Sequence, residues 1–473
     1  MYRKDLHIHL LGIGGIGMSG IAKILKYQGY KVSGCDLDLT QQTVQDLLNI
    51  GCPIAAQHNS DLCQDPNIDI LVYSSAVSVE SKEVQTAQAR GIPTIPRALM
   101  LAELMRTKYG IAVAGAHGKT TTTSMVSQIL IEAGMNPTVI IGGHLKSISA
   151  NAQLGGGDFL VAEADESDRS LLHLQATLAV VTNIDLEHLE TYKDLEDIKQ
   201  TFRGFLENLP FYGKAILCTD CPRIRSILPI PQIKTIKYGI DYGLDSDTKD
   251  DDLTPDIYAS DLEVEANYSI FKVWHKNLLL GEVQLNIPGK HNVLNSLGAI
   301  AIGLDLNIPF QSIKGALNNF RGVDRRFSYH GVTLEGAEVF DDYGHHPTEI
   351  EQTLKVAKKR AKGKICVIFQ PHRYTRTHKL WDDFVDLFCE SGIDSLILTD
   401  IYPASEKPID GIDSQKMVAA IKAKNPNLKI TYVPITKNFN LLIESIKKNS
   451  SKHDLLLLLG AGKVNQIAKK ILA

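Results

Sequence analysis

Twice in this chain an apolar run breaks at a glycine turn and resumes as a helix-patterned segment. The first instance is "HIHLL", then "GIGGIGMSG" from Gly12 to Gly20, then "IAKILKYQG". The second is "GIAVA", then "GAHGKTTTT" from Gly115, then "SMVSQIL". A strand that turns directly into a helix crosses back over its own sheet. Each instance therefore commits its region to β-α-β units and a parallel sheet. Both turns also aim backbone N–H groups and a positive helix end at one point, the local geometry of a phosphate cradle.

The first turn sets Gly12, Gly14 and Gly17 in the G-x-G-x-x-G positions. Asp36 ends the next apolar run, about 20 residues on, where a dinucleotide fold keeps its ribose-binding carboxylate. On these residues alone an NAD-dependent oxidoreductase stays open. The second turn is a short phosphate loop, G-x-x-G-K-T, with Val113 where the longer motif has its first glycine. Its parts are Gly115, Ala116, His117, Gly118, Lys119, Thr120 and Thr121. Lys119 suits the β- and γ-phosphates of ATP, and the Thr120 hydroxyl suits Mg2+. Two acidic segments follow strands further on. "VAEADESD" offers Glu163, Asp165, Glu166 and Asp168, and "TNIDLEHLETY" offers Asp185, Glu187 and His188. A hard cation needs only one of these beside Thr120 and the nucleotide, and several serve equally well as caps and turn residues.

Apolar strands alternate with amphipathic helices along the whole chain, whose 473 residues exceed one ordinary core. The pattern predicts an α/β protein of three domains. Residues 1–107 form a Rossmann-like domain. Residues 108–324 form a central P-loop-type ATPase domain, with added antiparallel strands in "IYASDLEVEANYSIFKVWHKNLLLGEVQLNI". Residues 325–473 form a second Rossmann-like domain. The acidic stretch "DYGLDSDTKDDDLTPD" reads as a solvated loop. A formal charge of -4 gives no reason to expect nucleic acid or an anionic membrane as partner. "DLLLLLG" is far too short to span a bilayer, and the glycine turn interrupts any signal-peptide core, so a cytoplasmic enzyme is expected. Cysteines number seven, an odd and scattered set that argues against a disulfide framework. The C-x-x-C of Cys218 and Cys221 lacks the second pair that a zinc site wants, and reads as ordinary strand-end cysteines.

Taken together, "GIGGIGMSG", "GAHGKTTTT", "EADESD", "TNI…EH", "GKHNVLNSLGAI", "GVDRRF", "DDYGHHPTEI" and "QPHRYTRT" resemble the Mur ligases, in order and over essentially the whole chain. The resemblance implies an ATP-dependent amide-forming ligase of cell-wall precursor synthesis, with UDP-N-acetylmuramate and L-alanine as substrates. A preformed peptide in place of alanine is the alternative. It implies that the first glycine turn holds a UDP-sugar diphosphate through Gly12, Gly14, Gly15, Gly17, Asp36, Ser74 and Ser75. It implies ATP contacts from Asn292, Asn295, Arg326 and Asp341, and metal ligation by Thr120, Glu163 and His188. For the amino acid it implies Tyr343, His345, His346, Arg373 and Arg376, an arginine fork for the carboxylate and a histidine for the ammonium. Lys119, His188, His345, Arg373 and Arg376 are the expected catalytic set. Glu187 departs from the family pattern, which has Asp before the metal histidine, and Lys463 stands where an acidic residue is expected. A monomer or weak homodimer is expected, closing about short hinges near Lys108 and Arg325.

Overall fold

The computed structural model describes residues 3–57, 63–74, 76–145, 150–188, 190–240, 254–404 and 406–472. Three sheets carry the strands. The first holds β1 (His7–Leu11), β2 (Lys31–Cys35), β3 (Ile54–Ala55), β4 (Ile70–Tyr73) and β5 (Thr94–Pro96) in the order β3-β2-β1-β4-β5. All its pairings are parallel. The order reverses between β1 and β4, and an open α/β sheet binds its ligand at such a switch point. The first glycine turn leaves the end of β1 there.

The second sheet has ten strands. They are β6 (Tyr109–Ala114), β7 (Thr138–Leu145), β8 (Ala150–Gln153), β9 (Phe159–Glu163), β10 (Leu178–Val181), β11 (Lys214–Cys218), β12 (Lys234–Ile240), β13 (Ile257–Val264), β14 (Ser269–His275) and β15 (Leu278–Leu285). Their order is β15-β14-β13-β12-β11-β10-β6-β9-β7-β8, which puts β6 and its phosphate loop between β10 and β9. β13 joins β12 in parallel, so the added strands extend the sheet as its margin. Connections of a few residues between β13, β14 and β15 suit antiparallel neighbours. The acidic stretch read as a loop lies almost wholly outside the described residues.

The third sheet is β16 (Ser328–Val332), β17 (Glu338–Asp342), β18 (Ile365–Phe369), β19 (Ser395–Leu398), β20 (Lys429–Tyr432) and β21 (Leu455–Leu459), in the order β16-β17-β21-β18-β19-β20. The run of leucines in β21 is buried throughout and forms a central strand. A strand covered on both faces has no polar side to show, so its sequence need not alternate.

Contacts divide the chain into two compact units. One comprises Met1–Glu263, Ile270–Asn286 and Asn292–Gly322, and the other Val264–Ser269, Ile287–His291 and Val323–Ala473. The first unit contains both glycine turns. The helix Ile16–Tyr27, which continues the first turn, packs on β7 and β8 of the second sheet. A Cβ on Gly20 would come within 3.3 Å of Ala152 and 3.4 Å of Ile140. The buried Asn151 amide donates to the Ile16 carbonyl (2.6 Å) and to Ser19 Oγ (2.9 Å), and its oxygen accepts from Lys23 Nζ (3.3 Å). Lys108 is tied to the carbonyls of Gly155 and Gly157.

Candidate functional site

Gly115 and Gly118 adopt φ of 136° and 85°, values that only glycine takes without strain. Space is equally decisive. A Cβ at Gly115 would lie 2.1 Å from Thr182 Oγ1, and one at Gly118 would lie 2.4 Å from Asn295 Oδ1. The end of β10 braces the loop from below. Asn183 accepts from the N–H groups of Ala116 (3.3 Å) and His117 (2.8 Å), and Thr182 and Asn183 both donate to the His117 carbonyl. Two of the loop's donors are thus already committed. The donors left for an anion are those of the first turn of the helix Lys119–Glu132, where helix geometry provides no internal acceptor. Asn295, expected at the adenine, is buried against Gly118. Asn292 is the more open of the two.

Lys119 folds back over this loop. Its ammonium donates to the carbonyls of Gly115 (2.6 Å) and Ala116 (3.1 Å) and to Glu166 Oε1 (2.8 Å). Burial opposes its charge, yet the carboxylates of Glu166, Asp165 and Glu187 outweigh burial and raise its pKa above the ordinary value. Glu166, Glu187 and His188 bring one ligand atom each within 4.8 Å of one another. His188 Nε2 lies 3.5 Å from both carboxylates. Burial disfavours the His188 cation, but Glu166, Glu190 and Glu187 win and push the pKa up to about 9.

This cluster fits a divalent cation. Glu166 is 3% exposed, and its second oxygen, Oε2, has no hydrogen-bond partner among the described residues. A buried acceptor of that kind is costly unless a cation or donor meets it. Glu163, the carboxylate chosen from the sequence, instead accepts from Gly142 N (2.7 Å) on β7. The sequence offered Glu166 and Glu187 among its acidic candidates but gave no reason to prefer them.

At the first turn the donors are again mostly consumed. Gly12 and Ile13 donate to the Cys35 carbonyl, Gly15 to the Gly12 carbonyl, and Gly14 to Asp36 Oδ2 (2.8 Å). Asp36 also accepts from Asp38 N and the Gln41 amide. The buried carboxylate, expected at a ribose, braces the turn. The N–H groups of Ile16, Gly17 and Met18, opening their helix, are the ones directed outward. Ser74 Oγ would sit 2.8 Å from a Cβ on Gly12, while Ser75 lies outside the described residues. One cation escaped the sequence reading. Arg97 Nη1 is 3.1 Å from a Cβ built on Gly17, and Nη2 donates to Asp165 Oδ2 (3.0 Å).

Within the second unit, Tyr343, His345, His372, Arg373 and Arg376 gather at the ends of β17 and β18. The His345 ring meets Tyr343 and His372 edge-on at 5.3 and 5.5 Å, and His372 stacks on Tyr402. Arg376 Nη1 lies 3.1 Å from His372 Nδ1; a guanidinium only donates, so this nitrogen accepts and the imidazole is neutral. Burial, with Arg376 and Arg373 adding to it, drops the His372 pKa to about 3, and burial holds His345 well below its usual value. Arg373 Nη1 is 3.8 Å from Glu406, which also accepts from Thr375. His346 caps the helix Pro347–Arg360 through Nδ1 and Thr348 N, whereas His345 faces the arginines' neighbour His372. Arg326 lies 3.6 Å from Glu349. Asp341, expected at the nucleotide, is 1% exposed and faces Arg325 and His330, the position of a brace. His372, Tyr402 and Glu406 were missed. His372 adjoins Arg373 in "QPHRYTRT", but only the fold brings Tyr402 and Glu406 to it.

Comparison with known proteins agrees with this geometry. Residues 7–109 match the model "Mur ligase family, catalytic domain", residues 113–303 "Mur ligase middle domain", and residues 325–462 "Mur ligase, glutamate ligase domain". The chain is 45% identical to the UDP-N-acetylmuramate–L-alanine ligase of Desulfatibacillum aliphaticivorans, covering 100% of this chain and 99% of that one. The enzyme of the same name from Geotalea uraniireducens is 47% identical, with 100% and 98% covered. Among solved structures, the UDP-N-acetylmuramate–alanine ligase of Thermotoga maritima superposes with a TM-score of 0.80 at 27% identity, over 99% of this chain and 98% of that one. A MurF ligase from Thermotoga maritima, solved with ADP, shares the fold at a TM-score of 0.60 and 16% identity, over 93% of each chain. The chain belongs to the Mur ligase family.

Proposed function

We propose that this chain joins L-alanine to the lactyl carboxylate of UDP-N-acetylmuramate at the expense of ATP, a step of peptidoglycan precursor synthesis in the cytoplasm. The observation that carries this reading is the presence of two glycine cradles in one compact unit, the second furnished with Lys119 and the Glu166–Glu187–His188 cluster. An NAD enzyme has no use for the second cradle, and Asp36 is spent on Gly14. Full-length similarity to named alanine ligases supports the choice of substrates.

A carboxylate is a poor electrophile, so an amide cannot form from it directly in water. Transfer of the γ-phosphoryl group of ATP gives an acyl phosphate. The amine of alanine attacks its carbonyl, and the tetrahedral oxyanion collapses to amide and phosphate. Negative charge accumulates at each stage, and fixed cations and N–H donors lower its energy. In this reading Ile16, Gly17 and Met18 donate to the sugar diphosphate, with Gly12, Gly14 and Gly15 shaping the turn and Ser74 beside it. Lys119 and the first turn of its helix hold the ATP phosphates, and Asn292 meets the base. When phosphate takes the Lys119 ammonium, Glu166 loses its cation. Glu166, Glu187 and His188, with Thr120 and Glu163 as further candidates, would hold Mg2+, which supplies charge neutralisation at the phosphates. Arg373 and Arg376 bind the alanine carboxylate, and neutral His345 positions its amino group by accepting a hydrogen bond. Domain limits near residues 107 and 324 belong to the same reading.

The test is phosphate release from ATP by the full chain with UDP-N-acetylmuramate and a panel of alanine, serine, glycine and a muramyl-type tripeptide. Release dependent on alanine supports the assignment. Release with the tripeptide alone assigns a peptide-adding ligase, and none with any acceptor overturns the reading.

A further inference from the structure

Beneath the first glycine turn lies a polar cluster that neither phosphate cradle uses. His7 and His9 point to one face of β1, and the Ser33 hydroxyl on β2 sits between them, 2.7 Å from His7 Nε2 and 2.8 Å from His9 Nδ1. All three are buried, His9 at 0% exposure. His9, Cys35 and Cys63 each offer a ligand atom within 4.8 Å of the others.

The proton arrangement follows from one charge. Asp65 lies 3.8 Å from His7 Nδ1, which favours the proton on that nitrogen. His7 Nε2 then carries a lone pair and accepts from the Ser33 hydroxyl. The Ser33 oxygen in turn accepts from His9 Nδ1–H. His9 Nε2 is left with a lone pair, and among the described residues it has no hydrogen-bond partner. An imidazole whose far N–H is held by an oxygen, with its other nitrogen bare beside two sulfurs, is the outer-shell arrangement of a metal-ligating histidine.

We propose that His9, Cys35 and Cys63 form a binding site for a single thiophilic d10 cation, Zn(II) or Cu(I), distinct from the Glu166–Glu187–His188 cluster. Two thiols and one imidazole select soft or borderline ions over Mg2+. Binding releases the two thiol protons, since thiolates are the ligands. Cys63 is only half-buried and gives the ion its path in and room for a fourth, solvent ligand on Zn(II). The Cys35 carbonyl holds the N–H groups of both Gly12 and Ile13, so the site lies directly behind the turn.

Co(II) is the probe, because a sulfur-to-cobalt charge-transfer absorption arises only with thiolate ligands and the carboxylate–histidine cluster cannot give one. The reduced full-length protein is titrated with Co(II) and then with Zn(II). The expected result is a sulfur-to-cobalt band saturating at one equivalent and displaced by Zn(II). Cys63→Ser, a change at a half-exposed position, and His9→Gln each weaken it at least tenfold. Absence of the band in the folded wild type overturns the proposal. So does a band unchanged in Cys63→Ser and Cys35→Ser, which would place the thiolate elsewhere.

Discussion

The Lys119 ammonium lies 2.8 Å from Glu166 Oε1, while Glu166 Oε2 has no hydrogen-bond partner among the described residues. One residue of this pair is suited to a phosphate and the other to a cation. They hold each other's charge until ligands take both. Lys119→Ala is expected to lower kcat by about 10²–10³, the scale of losing one donor aimed at developing charge. Circular dichroism should remain that of the parent. Turnover within a factor of two of wild type would contradict the role given to this lysine.

Carboxylate substitution separates the two metal candidates. Glu166→Gln should raise the Mg2+ concentration for half-maximal activity by about tenfold to a hundredfold, as changes around metal ligands do. Glu163→Gln should do less, because that side chain is engaged with Gly142 N. The reverse ranking would restore Glu163 as the principal ligand.

The arginine pair predicts a KM split. Arg373 shares Glu406 with Thr375, and Arg376 is oriented by His372. Loss of a charge-assisted bond costs roughly 1.5–3 kcal/mol, so Arg373→Ala should raise the alanine KM about 10- to 100-fold and the ATP KM little. Equal changes in both would remove this arginine from the amino acid site.

Acid should loosen the second unit over a defined window. His291, whose pKa burial lowers to about 4, His372, lowered to about 3, and His345, also lowered, stay neutral in the fold. Unfolded, each takes a proton near pH 6.5. Their contribution is therefore fully present above pH 6.5 and is lost as pH falls toward 4 and 3. Asp342 and Asp341 act oppositely: burial raises the Asp342 pKa to about 6 and holds Asp341 above its usual value, so both add stability as pH falls toward 4. Three histidine protons against two carboxyl protons leaves a net loss. Urea midpoints followed by a probe in this unit should fall between pH 6.5 and 4, and less steeply in His372→Gln. A flat profile would contradict the neutral histidines.

Both glycine turns were legible because strand, glycine and helix must be adjacent in sequence to work. What spacing could not reveal was which N–H groups were already satisfied. Asp36 stands where a ribose carboxylate belongs, yet it serves Gly14. Asn295 fills the space that Gly118 leaves open. Glu163 ends β9 and Glu166 follows shortly after it, and only contacts from Gly142 and Lys119 tell them apart. The histidines of "HIHLL" lie buried in their strand, each with one ring nitrogen on the Ser33 hydroxyl of a neighbouring strand, which no local spacing announces. Nor could spacing show that Asn151 on the short strand β8 fastens the helix after the first turn.

The central idea, that one cradle supplies the acid and the other the phosphoryl group that activates it, has a direct test in oxygen isotopes. UDP-N-acetylmuramate carrying 18O in its lactyl carboxylate is turned over with ATP and alanine, and the released phosphate is weighed by mass spectrometry. One labelled oxygen per phosphate is the predicted result, the other remaining in the amide. Phosphate free of label, with amide still formed, would contradict activation by phosphoryl transfer.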